Sequence, residues 1–207
     1  VEGYVSQAEF YLARNDFGKA NATMQTALNM ADKKDEAHYN LAKLIYQKEV
    51  KQGNMPYPQW NLDLALAETN KAYALNPLPL YKHLEAQIIY FKGEYAKAYD
   101  QFMALTKTNL RNGELYYEAA QCKQQLKAPF KEILTLLDSA VTAQDVSLSA
   151  PYVLARGTAL HGAQQYKKAM ADYNRYDTLM LGRASHDFYY TRALCEVQLR
   201  QFQQALN

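Results

Sequence analysis

The residues that could carry catalysis or bind a metal ion are few and scattered. The four histidines are His38, His83, His161 and His186, and none of them forms the i, i+4 pair or HExxH pattern that holds zinc on a helix. The sequence also lacks a glycine-rich phosphate loop, a GxSxG motif and a Cys/His signature of nucleophilic catalysis. We therefore predict no catalytic residue, no metal site and no cofactor, and we interpret the protein as a non-enzyme.

Charge and hydropathy narrow the classes of partner. The 23 Lys and Arg residues nearly balance the 21 Asp and Glu residues, so the sequence does not predict binding to nucleic acid or to an anionic membrane surface. No apolar run approaches the ~20 residues needed to span a bilayer, so no membrane insertion is expected. Because the sequence begins at Val1 rather than Met, we expect an upstream segment, such as a signal peptide, in the natural protein.

The abundant aromatic residues are the remaining candidates for recognition, and several of them recur at regular places. Five times along the chain an aromatic residue is followed three positions later by a small or aliphatic one. The pairs are Phe17/Ala20, Tyr95/Ala98, Phe130/Ile133, Tyr166/Ala169 and Phe202/Ala205. The last four pairs lie about 35 residues apart, which indicates a structural repeat. Roughly twice that distance separates the first two pairs, which leaves room for one more repeat and an insertion.

This spacing predicts two helices in each repeat, an A-helix followed by a B-helix. In the first unit the A-helix covers about residues 1–14 and the B-helix about residues 17–31. The aromatic residue then begins each B-helix and packs across the A–B turn, while small residues let the helices approach closely. No segment alternates with period two, so no sheet is predicted. The expected close-approach residues are Ala8, Ala20, Ala27, Ala42, Ala65, Ala72, Ala86, Ala98, Ala120, Ala140, Gly157, Ala169, Ala193 and Ala205.

On these residues the chain resembles a tetratricopeptide repeat (TPR) protein over nearly its whole length, since that family repeats a helix pair every ~34 residues. The fifth unit is most similar, with Gly157, Tyr166, Ala169 and Tyr173 at family positions in ARGTALHGAQQYKKAMADYNRY. The resemblance implies an all-α fold, a right-handed α-solenoid of stacked helix-turn-helix TPR units in a single domain. The expected units are approximately residues 1–34, 35–78 with an insertion at 47–60, 79–112, 113–148, 149–185 and a partial unit at 186–207.

Three segments depart from the family pattern. Lys82 and Glu85 stand where the third unit should be apolar, so the register of its A-helix is open by about one residue. The insertion QKEVKQGNMPYPQW should extend the second A-helix before a Pro-bounded loop at residues 54–58, with Trp60 at the start of the B-helix. This loop is either an ordinary tolerated loop or a contact for a partner. The sixth unit stops inside a B-helix that begins near Phe202, so we expect the natural protein to continue further.

The resemblance also implies roles for two pairs of side chains. In such repeats an A-helix Arg often pairs with a B-helix Asp, so Arg156 and Asp172 should form an ion pair within the fifth unit rather than a catalytic pair. Cys122 and Cys195 lie on A-helices of the fourth and sixth units. Two helix layers of ~10 Å each separate them, whereas a disulfide needs Cα atoms within ~7 Å. Both are therefore expected to be free, semi-buried thiols.

The resemblance further implies that a second stripe of each A-helix lines a concave groove. This stripe is rich in Tyr and Gln, which supply flat contact area and adaptable hydrogen bonds. The predicted groove residues are Tyr39, Lys43, Tyr46, His83, Gln87, Tyr90, Tyr117, Gln121, Gln124 and His161, with Leu154, Thr158, Tyr190 and Leu194 on the same stripe. The alternative is that several of these tyrosines pack between neighbouring A-helices. The stripe lacks the Lys, Asn and Arg pattern of TPR proteins that bind acidic chaperone tails, so a neutral peptide is the expected ligand.

The predicted function is a non-enzymatic protein-interaction scaffold that binds a peptide or protein segment in this groove. Two alternatives stay open. One is a glycan-binding envelope protein, because rows of tyrosine also stack on sugar rings; the other is the sensor or regulatory part of a larger protein that continues past Asn207. The Tyr-, Gln- and Asn-rich composition is similar to that of TPR proteins of gut Bacteroidetes, many of which are exported. This similarity favours the cell envelope or periplasm over the cytoplasm.

Overall fold

The computed structural model describes residues 2–14, 16–30, 34–51, 60–108, 110, 112–143 and 149–205. All regular secondary structure in these residues is helical, which confirms the predicted all-α helical-repeat solenoid. The helices are α1 (Glu2–Ala13), α2 (Phe17–Met30), α3 (Lys34–Lys51), α4 (Trp60–Leu75), α5 (Pro79–Phe91), α6 (Tyr95–Leu105), α7 (Asn112–Gln125), α8 (Phe130–Thr142), α9 (Ala150–Gly162), α10 (Tyr166–Leu179) and α11 (His186–Ala205).

The chain divides into two compact units, Val1–Gln101 and Phe102–Asn207, with the boundary inside α6. In the first unit α1 packs on α2 and α3 on α4, and in the second α7 packs on α8 and α9 on α10. The core of the first unit includes Met24 and Leu41, both nearly inaccessible to solvent. The core of the second unit includes Tyr173 and Phe188. The predicted division into repeat units remains a proposal.

The recurring aromatic residue begins the B-helix in four units, as predicted, at Phe17, Tyr95, Phe130 and Tyr166. At Tyr95 and Tyr166 it packs back across the A–B turn. The Tyr95 ring lies 5.2 Å from the ring of Tyr90 on α5, and the Tyr166 ring lies 5.7 Å from that of His161 on α9. The turns before Tyr95, Phe130 and Tyr166 each contain a residue with positive φ, which is Gly93 at 83°, Lys127 at 53° and Gln164 at 60°. This left-handed residue ends the A-helix and reverses the chain.

The predicted close-approach residues of the first five units are buried, and their alanines are at most 4% exposed. Gly157 shows why size matters there. A Cβ atom added to Gly157 would lie 3.0 Å from Cε1 of Tyr173 and 3.1 Å from Cβ of Asp172. At this point the backbone of the A-helix of the fifth unit therefore contacts side chains of its B-helix.

The sequence leaves the register of the third A-helix open by about one residue, and in the structure Ala86 on α5, an expected close-approach residue, is fully buried. Glu85 is buried beside it, only 8% exposed, at a position where the family resemblance predicts an apolar residue. The carboxylate of Glu85 accepts hydrogen bonds from Lys82 Nζ (2.5 Å) and Gln101 Nε2 (3.0 Å). These two donors compensate for the loss of water around a buried charge.

The second A-helix is extended as predicted, since α3 continues to Lys51. The predicted loop at residues 54–58 and the side chain of Trp60 lie outside the described residues, although α4 does begin at Trp60. The sequence interpretation of this loop therefore remains a prediction.

The prediction for the last helix is wrong in two respects. α11 is one helix from His186 to Ala205, so it passes through the point where a turn was expected before Phe202. The segment EVQLRQ before Phe202 contains no Gly, Pro or Asn to break the helix, and its residues are mostly good helix formers. Ala193 is exposed, whereas Phe188 and Cys195 are buried, because the apolar face of α11 follows these two residues.

Candidate functional site

A cavity of about 810 Å³ opens in the second unit between α7 and α9, and we call it the α7–α9 cavity. Residues of α8 and α10 complete its walls. The lining residues are Tyr117, Ala120, Gln121, Gln124, Leu137, Ala150, Pro151, Leu154, Ala155, Thr158, Ala159, Tyr176 and Met180. Its volume lies within the roughly 300–1,000 Å³ typical of ligand pockets.

The helical period explains why α7 and α9 supply most of this lining. Residues three, four and seven positions apart lie on one face of a helix, so Tyr117, Gln121 and Gln124 share a face of α7. Leu154 and Thr158 share a face of α9 in the same way. Pro151 stands in the first turn of α9, where a proline starts a helix without loss of a backbone hydrogen bond.

Exposure changes from the floor of the cavity to its rim. Ala120 and Leu137 are buried and form an apolar floor. Tyr117 and Leu154 are half-buried, whereas Gln124 is exposed at the rim. An apolar base surrounded by polar groups is the usual anatomy of a binding pocket.

Neighbouring aromatic rings hold the two tyrosines of the cavity. The Tyr117 ring on α7 lies 5.4 Å from the ring of Tyr152 on α9. The Tyr176 ring on α10 lies 4.7 Å from the ring of Phe188 on α11. Such ring pairs contribute about 0.5–1.5 kcal/mol beyond their buried area, so both walls are preorganised before any ligand enters.

Arg156 fixes α9 against the helices on both sides of it. Its Nε donates to Asp172 Oδ2 at 2.8 Å and its Nη2 donates to Asp172 Oδ1 at 2.7 Å, which confirms the predicted ion pair. Its Nη1 donates to Asp138 Oδ1 on α8 at 2.9 Å. These hydrogen bonds, Asp172 first, raise the pKa of Arg156 above its ordinary value. The bidentate geometry adds orientation as well as energy.

His161, a predicted groove residue, contacts other parts of the second unit instead of lining the cavity. Its Nε2 lies 2.6 Å from Gln198 Oε1 on α11, and its Nδ1 lies 3.2 Å from the hydroxyl of Tyr173 on α10. This histidine connects α9, α10 and α11.

The predicted groove residues of the first unit pack partly on the core. Tyr39 and Tyr46 lie against the cluster formed by α3, α4 and α5, and the Tyr39 ring is 5.0 Å from the Tyr81 ring. The Tyr46 ring is 5.4 Å from the ring of Phe91, edge to face. These contacts agree with the alternative in which the tyrosines pack between neighbouring A-helices, although both tyrosines retain some exposure.

The remaining predicted positions of the first unit are spread along α3 and α5. Lys43 is exposed on α3. His83 and Gln87 stand one turn apart on α5, with their Nε2 atoms 3.4 Å apart. The Tyr90 ring lies 5.7 Å from that of Phe91. In the second unit, Tyr190 and Leu194 are exposed on α11, at 68% and 42%.

Sequence reasoning missed the part of the cavity that comes from the B-helices and the residue after one of them, above all Tyr176 on α10 and Met180 directly after α10. One signal was available. Three earlier B-helices have alanine seven residues after their first small or aliphatic position, as in Ala27, Ala72 and Ala140, whereas the fifth has Tyr176 there. This large residue lines the cavity.

The two cysteines are free and buried, as predicted. Burial raises the pKa of Cys122 on α7 to about 12, and burial also raises the pKa of Cys195 on α11. Both thiols are therefore protonated at neutral pH, and a protonated thiol is a poor nucleophile and metal ligand. Cys122 and Cys195 are both fully buried. They act here as small apolar side chains of the core.

No helix among the described residues is both long enough and apolar enough to cross a lipid bilayer. The sequence matches no protein-family model, and a search of the curated proteins finds no match either.

Solved structures do share the fold. PilW, described as a widely conserved type IV pilus biogenesis factor, is 17% identical, with 99% of this chain and 88% of that chain covered at a TM-score of 0.71. A tetratricopeptide repeat protein from Parabacteroides merdae is 16% identical, with 99% and 75% covered and a TM-score of 0.63. YrrB, a TPR protein with an unusual peptide-binding site, is 19% identical, with 86% and 84% covered and a TM-score of 0.57. The chain therefore has a TPR-type fold.

Proposed function

We propose that this TPR-type protein is a non-enzymatic interaction scaffold, which binds an uncharged segment of another protein along the second stripe of its A-helices. One observation carries the proposal: in the α7–α9 cavity the predicted stripe residues Tyr117, Gln121 and Gln124 line one wall beside an apolar floor. Tyrosine and glutamine offer contact area and hydrogen bonds without charge, as peptide-binding surfaces require.

The fold supports the same class of function. YrrB, which shares it, is described as having a peptide-binding site. In the first unit, Tyr39, Tyr46 and Tyr90 stand on the A-helices α3 and α5, and we propose that they form a binding surface of that unit. Their contacts with core residues would then hold the rings in a binding-ready orientation.

Position-specific photo-cross-linking tests the proposal. A benzoylphenylalanine is placed at Gln121 on the cavity wall or, as the matched control, at the exposed Lys131 on α8, which does not line the cavity. In an extract of the source organism the Gln121 variant is expected to cross-link one protein that the Lys131 variant does not. Equal cross-linking by both variants would contradict the proposal.

The cross-linked segment, made as a synthetic peptide, is then titrated against Tyr117→Ala. Loss of a tyrosine anchor is expected to weaken binding about 30-fold, which corresponds to ~2 kcal/mol. Lys131→Ala should bind as the parent does. Full-strength binding by a folded Tyr117→Ala protein would place the interaction elsewhere.

A further inference from the structure

We infer that the α7–α9 cavity is a specificity pocket, which accepts one bulky uncharged side chain of a bound peptide and rejects a charged one. The inference rests on the proposed function, since it assigns the chemistry of the residue that enters this part of the surface. The pocket would make binding selective for the type of side chain in the peptide, whereas a general scaffold need not be selective.

The first argument is the charge of the walls. Asp, Glu, Lys and Arg make up 21% of the chain, yet none of the thirteen residues lining the cavity is one of them. A charged side chain that entered would lose water and find no partner of opposite charge. An unpaired charge in such surroundings costs several kcal/mol, which is why buried charges are normally paired.

The second argument is that two charges next to the cavity along the chain, those of Arg156 and Lys123, already have partners. Arg156 follows the lining residue Ala155, but its guanidinium is held by Asp172 and Asp138. Lys123 precedes the rim residue Gln124, and its Nζ donates to Glu132 on α8 at 2.9 Å. A ligand charge would have to compete with these pairs.

The third argument is the origin of the empty volume. Small side chains line α7 and α9 where they face the cavity, at Ala120, Ala155 and Ala159. Half-buried Leu154 and Tyr176 and the flexible side chain of Met180 surround the space with apolar surface. Burying an aromatic or aliphatic side chain there would contribute about 1.5–3 kcal/mol. At the rim, the amides of Gln121 and Gln124 can donate to and accept from the peptide main chain on either side.

Capped tripeptides test this selectivity on the full chain. The probes are acetyl-Ala-X-Ala-amide with X = Phe, Leu, Ala, Lys or Asp, and the readout is the ¹³C-methyl resonance of Met180. The resonance of Met170 on α10, which does not line the cavity, is the internal reference. The Phe and Leu peptides are expected to shift Met180 with dissociation constants at least about tenfold lower than those of the Lys and Asp peptides, a difference of ~1.4 kcal/mol.

A cavity-filling variant adds a second readout. Ala155→Leu should abolish the shift caused by the Phe peptide, while Ala171→Leu, on the exposed face of α10, should leave it unchanged. Equal binding of the Phe, Lys and Asp peptides would overturn the inference, as would the absence of any shift at Met180. A shift caused by an N-acetylglucosamine trimer but not by the Phe peptide would overturn it in favour of a sugar ligand.

The experiments can contradict the pocket assignment and the scaffold proposal separately. If the photo-cross-linked partner binds Ala155→Leu as tightly as the parent, the pocket assignment is wrong and the scaffold stands. If the tripeptides show the expected selectivity but no partner cross-links at Gln121, the pocket stands and the scaffold is wrong.

Discussion

Arg156 joins three helices of the second unit through its guanidinium group. Its guanidinium contacts Asp172 of α10 through two hydrogen bonds and Asp138 of α8 through one. The two partners differ in environment, because the side chain of Asp172 is 7% exposed and that of Asp138 is 53% exposed. A buried carboxylate depends on its partner far more than an exposed one does.

Removal of Arg156 should therefore be costly. Arg156→Ala leaves the carboxylate of Asp172 buried without its cation, and we expect the free energy of unfolding to fall by about 3 kcal/mol. Asp138→Asn removes only the exposed ion pair and should cost less than about 1 kcal/mol. Urea denaturation of both variants at neutral pH measures the difference. Equal losses in the free energy of unfolding would show that the buried ion pair stabilises the protein no more than the exposed one does.

Asp35, at the start of α3, introduces a pH dependence into the first unit. Its Oδ2 accepts hydrogen bonds from Asn76 Nδ2 and the Tyr81 hydroxyl, both at 2.9 Å. The hydrogen bond from Asn76, followed by that from Tyr81, outweighs burial and lowers the pKa of Asp35 in the folded state. Burial and the same hydrogen bond raise the pKa of Tyr81.

A carboxyl with a lowered folded pKa stabilises the protein above its unfolded pKa of about 3.9 and loses this effect as pH falls through the folded value. We therefore expect the parent to be more stable than Asp35→Asn by a constant amount above about pH 5, and the two proteins to converge below about pH 4. Denaturant titrations from pH 7 to pH 3 measure the convergence. A difference independent of pH would mean that the charge of Asp35 is not responsible.

At the scale of the helices, the repeats share a close approach between the A-helix and the B-helix. A substitution of Gly157 on α9 tests this feature. Alanine is the better helix former by about 1 kcal/mol, so Gly157→Ala should stabilise an uncrowded helix. Here the new methyl group would meet Tyr173 and Asp172 at 3.0–3.1 Å, and overpacking should instead cost about 1–3 kcal/mol. Gly162, at the exposed end of the same helix, has no atom within 4 Å of an added Cβ.

Gly162→Ala is thus the matched control, and it should be neutral or slightly stabilising. Thermal unfolding of both variants compares the same substitution on the same helix. If both variants gain stability, the contact between α9 and α10 is looser than the structure indicates.

The helix pairs could be predicted from sequence because their determinants are local. An aromatic residue at the start of each B-helix, small residues at the contact and prolines at helix starts all lie within one repeat. The A-helix half of the candidate site was predictable for the same reason, since Tyr117, Gln121 and Gln124 follow the helical period. The continuation of α11 through Phe202 was not predicted, because an aromatic residue alone does not make a turn when no helix-breaking residue precedes it.

The B-helix half of the cavity could not be predicted because it depends on packing between elements. Tyr176 and Met180 reach the cavity through the position of α10 beside α9, which Arg156 and Gly157 help to define. Packing between helices also determines the contacts of His161. Its position on the groove stripe of α9 could be predicted from the sequence. Its contacts with Gln198 and Tyr173 could not, because they depend on α10 and α11.

At the scale of the whole molecule, each of the two compact units has its own proposed binding residues on A-helices. The first unit contributes Tyr39, Tyr46 and Tyr90 and an exposed Lys43. The second contributes the uncharged α7–α9 cavity. The net charge of the chain is only +2, so neither long-range attraction nor local charge is expected to dominate binding.

Affinity for the cross-linked peptide should therefore be nearly independent of salt. Screening weakens interactions between exposed charges, since the Debye length falls from about 10 Å at 0.1 M to about 3 Å at 1 M. A ligand held by apolar burial and by hydrogen bonds to Gln121 and Gln124 has little such interaction to lose. We expect its dissociation constant to change by less than about threefold over this range. A steep loss of affinity that Lys43→Gln abolishes would show that the charged rim of the first unit binds the partner, and would contradict the neutral groove.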